Sequence, residues 1–497
     1  MTARCVMVLG TTSGAGKSWV ATALCRWYAR QGLKVAPFKA QNMSNNARVV
    51  SSPAAAGPDS DARGGEIGSA QYFQALAARA EPEVRMNPLL LKPESDTHSQ
   101  VVLLGQVDEE LSRLAWRGRS ASVWPAIARA LDGLRAENDV VVIEGAGSPA
   151  EINLADSDIV NMRVAQYADA RCLLVTDIDR GGAFAHLYGT WALLDEEQRK
   201  CIRGFVLNKF RGDPALLAPG PEMLRALTGI PTVATLPMWW QHGLPEEDGF
   251  FHSHPVARSS AGGGITRLKV AVVAYPRISN LDEFQPLHNV PGLHLAWARR
   301  PAEVAQADWI ILPGSKNTSS DLAWLRSQGL AGAIAQHAQS GGAVLGICGG
   351  LQMLGEALVD THEIDGNGPG LGLLPLVTAF ERTKTVRRTQ VRFGSVAGAW
   401  AALSGVRVQG YEIHHGRTSQ HPAMAPARTV MAGSLAWQNE PGNVLGVYLH
   451  GLFEDPAVLR ALFGAQVPTL DSVFDGLADF IDRHFAPSFI AGLVTER

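Results

Sequence analysis

A glycine-rich loop near the start of the chain, GTTSGAGKS over Gly10–Ser18, restricts the possible folds more than any other stretch. It follows an apolar stretch, CVMVLG, and precedes SWVATALCRWYARQG, in which Val20, Leu24 and Trp27 recur at helical spacing. Strand, glycine-rich loop and helix in this order predict a phosphate-binding loop within an α/β fold. A plain turn that caps a helix is the alternative, but the Gly-Lys-Ser ending disfavours it.

This loop departs from the common phosphate-binding pattern, because five residues rather than four separate Gly10 from Gly16. Backbone N–H groups at the helix start would still surround the phosphates of ATP. Lys17 would contact the β and γ phosphates, and the Ser18 hydroxyl would bind Mg²⁺. The predicted ATP contacts within the loop are Gly10, Thr11, Thr12, Ser13, Gly14, Ala15, Gly16, Lys17 and Ser18.

Further apolar stretches alternate with helical ones, which predicts a mainly parallel, doubly wound sheet. Polar residues at the ends of these stretches include Lys39, Glu144, Asp177 and Asn208. Ligands of such sheets bind at the carboxyl ends of the strands, so we expect these side chains to converge on one site. Glu144 would hold Mg²⁺ directly or through water, although a merely solvated acid would give the same pattern. Asn208 would contact the base of ATP.

A long polar region separates the second and third predicted strands. It contains QNMSNN at 41–46, GGEIGSAQ at 64–71 and LLKPESD at 90–96. This density of amides and glycines exceeds what a connecting loop requires, which indicates a substrate with many polar groups. A solvated loop is the alternative. The predicted substrate-binding residues are Lys39, Gln41, Asn42, Lys92 and Asp177.

A second α/β domain is predicted in the other half of the chain. Residues 238–267 mix Pro, Gly, Ser and His without periodicity, which is typical of a linker. Apolar strands resume at Leu268. We therefore predict a nucleotide-binding domain at 1–237, a second domain at 268–460 and a helical extension at 461–497.

The stretch GICGG, residues 346–350, has the G-x-C-x-G form of a nucleophile elbow centred on Cys348. The N–H of Gly349 would supply one oxyanion-hole donor, and Gly314, in PGSKNT, is the candidate for another. A structural cysteine in a tight turn is the alternative. A cysteine nucleophile requires a histidine base. The preferred histidine is His450, at the end of an apolar strand, and its rivals are His414 and His415.

Composition excludes several functional classes. The net charge of −3 gives no basic field that would attract nucleic acid or an anionic membrane. No apolar run reaches the roughly 18 residues that span a bilayer. The N-terminal MTARCVMVLG turns polar too early for a secretory signal, and the five scattered cysteines lack metal-type spacing. We expect a cytoplasmic protein that acts on small molecules, with an oligomeric state that the sequence does not indicate.

Together these motifs resemble a known family. A cysteine elbow, an earlier oxyanion loop and a late histidine are similar to the class I glutamine amidotransferases, and the loop spacing is similar to that of dethiobiotin-synthetase-like ligases. The fusion of the two resembles the cobyrinic and cobyric acid amidating synthases, from about residue 5 to residue 460. The motifs that match the cobyric acid branch are QNM, GGEIG, LLKP, EGAGSPAEINL, DIDRGG, NKFRGD, PGSKNT, GICGG, GYEIHHG and YLHGLF.

The resemblance implies a reaction. Such enzymes use ATP, Mg²⁺ and glutamine to amidate the b, d, e and g carboxylates of adenosylcobyrinic acid a,c-diamide. ATP would activate each carboxylate as an acyl phosphate, and ammonia released from glutamine at Cys348 would displace the phosphate. The resemblance also implies that Glu144 is a Mg²⁺ ligand and that Asn208 contacts adenine.

The sequence departs from the family pattern at three places. Gly14 stands where relatives often carry Asp or Asn, and residues 51–63 form an insert that we interpret as a tolerated loop extension. His450 is followed by Gly451 and Leu452, whereas most class I amidotransferases continue with Pro and Glu. Glu454 is only a weak substitute for that acid, so the third partner of the cysteine and histidine is not identified.

Two other functions share part of the pattern. Cobyrinic acid a,c-diamide synthase has both domains, but QNM and GYEIHHG disfavour it. A partitioning-type P-loop ATPase with a non-catalytic amidotransferase domain is the second alternative. Those ATPases carry a second lysine at the place of Thr12 and have no fused cysteine domain, which disfavours them as well.

Overall fold

The chain folds into two units. The computed structural model describes residues 2–51, 64–94, 98–114, 116–240, 242–245, 268–424, 426–464 and 467–495. The first unit comprises Met1–Ser44, Gly65–Leu244 and Thr469–Arg497, and the second comprises Asn45–Gly64 and Pro245–Pro468. The predicted 51–63 insert, apart from Ser51, and the part 246–267 of the predicted linker lie outside the described residues, as do residues 95 and 96 of LLKPESD.

These units differ from the predicted domain boundaries in two respects. Residues 45–64 belong to the second unit, although the sequence places them within the predicted domain 1–237. Residues 469–497, which the sequence assigns to a separate extension, belong to the first unit. Each unit is therefore built from segments that are distant in the chain.

A six-stranded parallel sheet forms the centre of the first unit. Alternate residues of its strand Arg4–Gly10 enter two different cores, with Met7 and Leu9 in one and Val6 and Val8 in the other. The sheet is therefore buried on both faces, which explains the continuous apolar character of its strands. In spatial order the strands are Thr232–Pro237, Ile202–Phe210, Arg171–Asp177, Arg4–Gly10, Val140–Glu144 and Val35–Phe38.

Helices cover both faces of this sheet. Trp116–Glu137 contributes Ile127 and Leu131 to the core that contains Met7. The other core receives the helix Lys17–Arg30, here called the first helix, and Leu470–His484, here called the C-terminal helix. The remaining α-helices are Ser69–Ala77, Glu109–Arg113, Met162–Tyr167, Ala183–Leu193, Glu196–Cys201, Gly220–Thr228 and Phe489–Thr495, and the 3₁₀ helices are Val84–Met86, Ile152–Ser157 and Pro214–Leu217.

A smaller sheet in the first unit carries part of the polar region. Its strand Gln41–Met43 runs parallel to Leu89–Pro93, with Asn42 opposite Leu90. Strands Ser99–Leu103 and Gln106–Val107 continue the sheet in antiparallel fashion, and Gly65–Gly68 is a further strand of the unit. Two of the predicted substrate-binding segments, QNM and LLKP, are therefore neighbouring strands.

A seven-stranded sheet forms the centre of the second unit. Five strands are parallel, and the last two are added in antiparallel fashion. In spatial order they are Leu293–Ala298, Leu268–Val273, Trp309–Leu312, Ala343–Ile347, Val444–Val447, Ala436–Gln438 and Arg428–Met431. The carboxyl ends of the strands Ala343–Ile347 and Val444–Val447 lie side by side, so the two predicted catalytic residues that follow them are brought together.

Other elements of the second unit surround this sheet. A long antiparallel pair, Leu376–Arg392 and Arg407–Gln420, extends through Ala357–Asp360 and Gly368–Pro369, and Ile278–Ser279 pairs with Gly314–Ser315. Ala47–Val50 is also a strand of this unit. The α-helices are Pro301–Val304, Thr318–Ser327, Leu330–Gln339, Gly349–Leu354 and Pro456–Phe463, and the 3₁₀ helices are Leu281–Asn289, Gly398–Leu403, Ala432–Ser434 and Leu452–Glu454.

Two α/β units with mainly parallel central sheets confirm the predicted fold class. Among the residues that the structure describes, no helix combines the length and the apolar character needed to cross a membrane.

Candidate active sites

The glycine-rich loop connects the strand Arg4–Gly10 to the first helix and has the backbone shape that its glycines permit. Gly14 and Gly16 adopt φ of 72° and 101°, in the left-handed region that favours glycine. A Cβ atom at Gly16 would lie 2.0 Å from Nδ2 of Asn208, so no larger residue fits there. Asn208 Nδ2 donates to the carbonyl of Ala15 at 2.9 Å, and Lys209 Nζ donates to the carbonyl of Gly14 at 2.8 Å. Asn208, predicted as an adenine contact, therefore supports the loop backbone here.

Lys17 is buried and lies across the loop that precedes it. Its Nζ donates to the carbonyls of Thr12 and Gly147 at 3.0 and 3.1 Å. Thr11 is buried and donates through its hydroxyl to Thr176 at 3.0 Å, whereas Thr12 and Ser13 are exposed. The lysine ammonium is thus held between the backbone of the loop and that of the segment around Gly147.

Glu144 receives hydrogen bonds from three buried or half-buried side chains. Ser18 Oγ and Lys39 Nζ donate to its Oε1 at 2.8 and 2.9 Å, and Gln74 Nε2 donates to its Oε2 at 2.5 Å. Burial alone would raise the pKa of Glu144, but Lys39 and these hydrogen bonds together lower it below its usual value. An ionised carboxylate beside a hydroxyl offers the hard oxygen donors that Mg²⁺ prefers, so Ser18 and Glu144 fit such an ion.

Gln74 is a site residue that no sequence motif indicates. It follows Gln71 by one helical turn on Ser69–Ala77, and both side chains are completely buried. Only its burial distinguishes Gln74 from an ordinary glutamine on a helix surface, and burial cannot be read from the sequence.

The other predicted substrate-binding residues make separate contacts within the first unit. Asn42 Nδ2 donates to Gln71 at 3.2 Å, and Gln41 beside it is buried. Lys92 forms a buried ion pair with Glu66 at 2.8 Å, and so it pairs with an acid other than Glu144. Asp177 lies 3.2 Å from Lys209 and thereby adjoins the loop. Asp177 thus lies beside the loop and Lys39 lies at Glu144, whereas Asn42 and Lys92 lie on the smaller sheet.

Cys348 lies in a sharp turn between the strand Ala343–Ile347 and the helix Gly349–Leu354. Its φ of 50° is in the left-handed region, which is strained for a residue other than glycine and typical of a nucleophile elbow. A Cβ atom at Gly346 would lie 2.6 Å from Leu354, and one at Gly350 would lie 1.9 Å from the carbonyl oxygen of Leu312. The glycines that flank the cysteine are therefore required for the turn to form.

Gly349 and Gly314, the predicted oxyanion-hole residues, lie beside the elbow. A Cβ atom at Gly349 would be 2.7 Å from the backbone nitrogen of Ser315, and one at Gly314 would be 2.7 Å from Cε1 of His450. The strand Gly314–Ser315 thus passes close to both the elbow and the histidine. Ser315 Oγ donates to Asp321 at 2.6 Å, which fixes the strand to the helix Thr318–Ser327.

His450 is buried and interacts with two acidic partners. Its Nδ1 lies 3.1 Å from Oε1 of Glu283, whereas Sγ of Cys348 donates to the carbonyl of Ile413 at 3.7 Å. Burial by itself lowers the pKa of His450, but its interactions with Glu283 and Cys348 outweigh burial and raise that pKa to about 10. The rivals point elsewhere, because the Nδ1 atoms of His414 and His415 contact the carbonyls of Gly416 and Glu381.

Glu283 is the acid that contacts His450, and no sequence motif indicates it. Its Oε1 contacts His450, and its Oε2 accepts the backbone N–H of Gly451 at 2.9 Å. A proline after the histidine, as in most class I amidotransferases, could not make this second bond because it has no N–H. Glu454 instead pairs with Arg48 at 2.5 Å. Glu283 precedes His450 by 167 residues, so no local spacing connects them.

Comparisons with known proteins agree along the whole chain. The description "CobQ/CobB/MinD/ParA nucleotide binding domain" matches residues 6–245, and "CobB/CobQ-like glutamine amidotransferase domain" matches residues 269–458. The cobyric acid synthase of Variovorax paradoxus is 74% identical over 99% of this chain and 100% of the relative. Those of Polaromonas sp. and Acidovorax ebreus are each 72% identical, over 99% and 100% of this chain and 98% and 100% of the relatives. The chain therefore belongs to the cobyric acid synthase family.

Proposed function

We propose that the protein amidates the b, d, e and g carboxylates of adenosylcobyrinic acid a,c-diamide with ammonia from glutamine, at the expense of ATP, and so forms adenosylcobyric acid. The observation that carries this function is the match, over at least 99% of this chain, to relatives named cobyric acid synthases. The two sites support it, because one has the groups for nucleotide binding and the other has a cysteine, a histidine and an acid in contact.

The cysteine site would release ammonia from glutamine. The Cys348 thiolate attacks the side-chain carboxamide, and the N–H groups of Gly349 and Gly314 are the proposed donors to the oxyanion that forms. His450, held by Glu283 through Nδ1, gives a proton to the leaving ammonia. The neutral imidazole then takes a proton from the water that hydrolyses the thioester, which returns the cysteine and yields glutamate.

The first unit would activate the corrinoid carboxylate. A carboxylate does not react with ammonia, because oxide is a very poor leaving group. Transfer of the γ-phosphoryl group of ATP gives an acyl phosphate, which ammonia attacks with release of phosphate. Lys17 and Lys39 would stabilise the charge that develops on the transferred group. Ser18 and Glu144 would hold Mg²⁺, which supplies further positive charge when bound.

The remaining predicted residues are assigned to substrate binding. Gln41, Asn42 and Lys92 would contact the amides and acids at the rim of the corrinoid, with Asp177 beside the nucleotide loop. Asn208 would orient the adenine while it supports the loop backbone. Their polar side chains are buried, and buried polar groups are held in place by their hydrogen-bond partners, which supports a preformed site.

The choice of substrate is tested by supplying cobyrinic acid and, separately, its a,c-diamide, with ATP and amide-labelled glutamine. Mass spectrometry counts the labelled amides. We expect four labelled amides on the a,c-diamide and little product from cobyrinic acid. Preference for cobyrinic acid would identify an a,c-diamide synthase instead, and ATP hydrolysis without amidation of either compound would favour the partitioning-type ATPase.

A further inference from the structure

A segment from the first part of the chain, residues 45–51, lies next to the start of the 3₁₀ helix Leu281–Asn289, which carries Glu283. Within the second unit, the backbone N–H of Ala47 donates to Asn280 at 3.2 Å, and the backbone N–H of Leu281 donates to Asn46 at 3.0 Å. Arg48 donates to Oδ2 of Asp282 at 2.5 Å. Three consecutive residues, 280–282, are therefore hydrogen-bonded to the segment 45–51, and Glu283 is the next residue.

Arg48 also contacts the ring that packs on the catalytic histidine. It donates to the hydroxyl of Tyr411, and the same hydroxyl accepts from Asn280 at 2.9 Å. The Tyr411 ring stacks on the His450 ring with 5.4 Å between centroids and 22° between planes. The backbones of the two residues form a bridge, in which His450 N donates to Tyr411 O at 2.9 Å. Arg48 is thus connected to the imidazole in two ways, through Tyr411, which stacks on its face, and through the start of the 3₁₀ helix whose Glu283 contacts its Nδ1.

The charges around Arg48 explain why a guanidinium is needed there. Arg48 is 1% exposed and donates to Asp282 and Glu454, each at 2.5 Å. Burial raises the pKa of Asp282 and brings that of Glu454 to about 7, and Arg48 opposes both changes. With Glu283 beside them, three carboxylates crowd one region. A single fork of five donors can satisfy several of them at once, which an ammonium cannot do with the same geometry.

We propose that Arg48 is a positioning residue for glutamine hydrolysis: it holds Tyr411 and the Asn280–Asp282 turn so that His450 and Glu283 keep their mutual orientation. This inference rests on the proposed glutaminase activity. It implies that the glutaminase centre depends on a residue that precedes Asp282 by 234 positions in the chain. Segment 45–51 directly follows the strand Gln41–Met43 of the first unit, whose residues we assign to substrate binding.

The test uses the full-length protein and the variants Arg48→Met and Arg48→Lys. A diazoketone analogue of glutamine that alkylates Cys348 counts the intact cysteine centres, and glutaminase turnover is then expressed per labelled centre. We expect Arg48→Met to lower kcat per centre about 10-fold or more, with an intermediate loss in Arg48→Lys. A purely structural role would lower the number of labelled centres and leave kcat per centre unchanged, and that result would overturn the proposal.

Arg388→Met is the matched control, because Arg388 Nε donates to the carbonyl of Val49 in the same segment at 3.0 Å. This variant loses a contact of the segment but keeps Arg48, and we expect wild-type kcat per centre. An equal loss in Arg388→Met would assign the effect to seating of the segment and contradict a specific role of Arg48.

Two further measurements keep the outcome decisive. If the diazoketone does not label Arg48→Met, the triple variant Arg48→Met/Asp282→Asn/Glu454→Gln is measured instead. It removes the guanidinium together with the charges of both acids, so neither carboxylate remains buried without its partner. A wild-type kcat per centre in that variant would overturn the proposal. Amidation supported by added ammonium salt should persist in every variant. Absence of glutaminase activity and of ammonia-supported amidation from the wild-type protein would refute the proposed function instead.

Discussion

At the scale of single residues, the proposed reaction depends on the charge of His450. Burial lowers the pKa of this histidine, but Glu283 and Cys348 together raise it to about 10. The histidine therefore carries a proton at neutral pH, which in the proposed reaction passes to the ammonia that leaves the substrate. Glu283 fixes the orientation of this donor because its two oxygens are held by His450 and by Gly451.

The role of Glu283 leads to a prediction about pH. In Glu283→Gln the anion that raises the pKa of His450 is lost while the burial that lowers it remains, so the pKa of the histidine falls. The imidazolium form is then lost at a lower pH, and the alkaline limb of the glutaminase profile should move toward neutral pH. We also expect kcat to fall by about 10²- to 10⁴-fold. Steady-state release of glutamate between pH 6 and pH 11 measures both.

The control for this variant is Glu454→Gln, which removes a neighbouring acid that pairs with Arg48 and not with His450. Its alkaline limb should stay within about half a pH unit of the wild-type limb, since an acid that does not contact the imidazole affects its pKa less than one that does. An unchanged limb in Glu283→Gln, or an equal shift in both variants, would contradict the assignment of Glu283.

Single residues were predictable where the chemistry depends on local spacing. Cys348 and Gly349 follow from one five-residue motif, and the loop Gly10–Ser18 follows from another. Glu283 and Arg48 could not be found in this way, because Glu283 lies 167 residues from His450 and Arg48 lies 234 residues from Asp282, and only the folded chain brings these partners together. His450 is intermediate, since the end of an apolar strand favoured it over two rivals but supplied no partner.

At the scale of elements, the first helix packs against the C-terminal helix. Arg26 is completely buried and donates to Asp471, and the ring of Phe474 lies 5.5 Å from its guanidinium. Further along, Trp27 Nε1 donates to Asp482 at 2.8 Å. Acidic residues spaced by three or four positions thus follow one side of the C-terminal helix and face the first helix. Because the first helix begins at Lys17, its placement also determines the position of the loop lysine.

This packing predicts a measurable loss of stability. Phe474 is 1% exposed, and Phe474→Ala leaves a cavity between the two helices. Such truncations cost about 3–5 kcal/mol, and the loss should be largest in the first helix and the loop before it. Hydrogen exchange followed by mass spectrometry should show faster exchange in the first helix, and the affinity for ATP should fall as well.

Asp479→Asn is the comparison for that variant. Asp479 pairs with Arg30 at 2.5 Å, but the two side chains are 57% and 39% exposed, so the pair is worth about 1 kcal/mol or less. Its exchange pattern should match that of the wild-type protein. Wild-type exchange in Phe474→Ala as well would mean that the C-terminal helix does not support the first helix.

The presence of helices and strands could largely be predicted from the sequence, but the elements that they pack against could not. Apolar positions such as Val473, Leu477 and Ile481 indicate a packed helix, and the structure buries all of them. The same pattern does not say which surface receives the helix, because a helical stripe specifies only that some apolar face must cover it. The assignment of residues 469–497 to the first unit therefore required the three-dimensional fold.

At the scale of the whole molecule, two chemistries are carried by two separate folds. The nucleotide loop, Lys39 and Glu144 belong to the first unit, and Cys348 and His450 belong to the second. The chain passes from one unit to the other within residues 41–65 as well as at the predicted linker. Domains that are each drawn as one continuous stretch of sequence cannot describe this arrangement. A substitution that inactivates one of these sites should therefore leave the activity of the other site intact.

Cys348→Ala should abolish release of glutamate from glutamine and leave amidation intact when ammonium salt replaces glutamine. The ammonia-supported rate should rise with pH, because un-ionised ammonia is the form that attacks an acyl phosphate.

Lys17→Met should show the opposite pattern, with glutamate still released but no amidation from either nitrogen source, since the loop lysine stabilises phosphoryl transfer and takes no part in thioester chemistry. Assays of glutamate, ADP and corrinoid amides on the same samples distinguish these cases. Loss of both activities in a folded Cys348→Ala protein would contradict independent sites, because the substitution removes one sulfur atom in the second unit and no group that we assign to ATP.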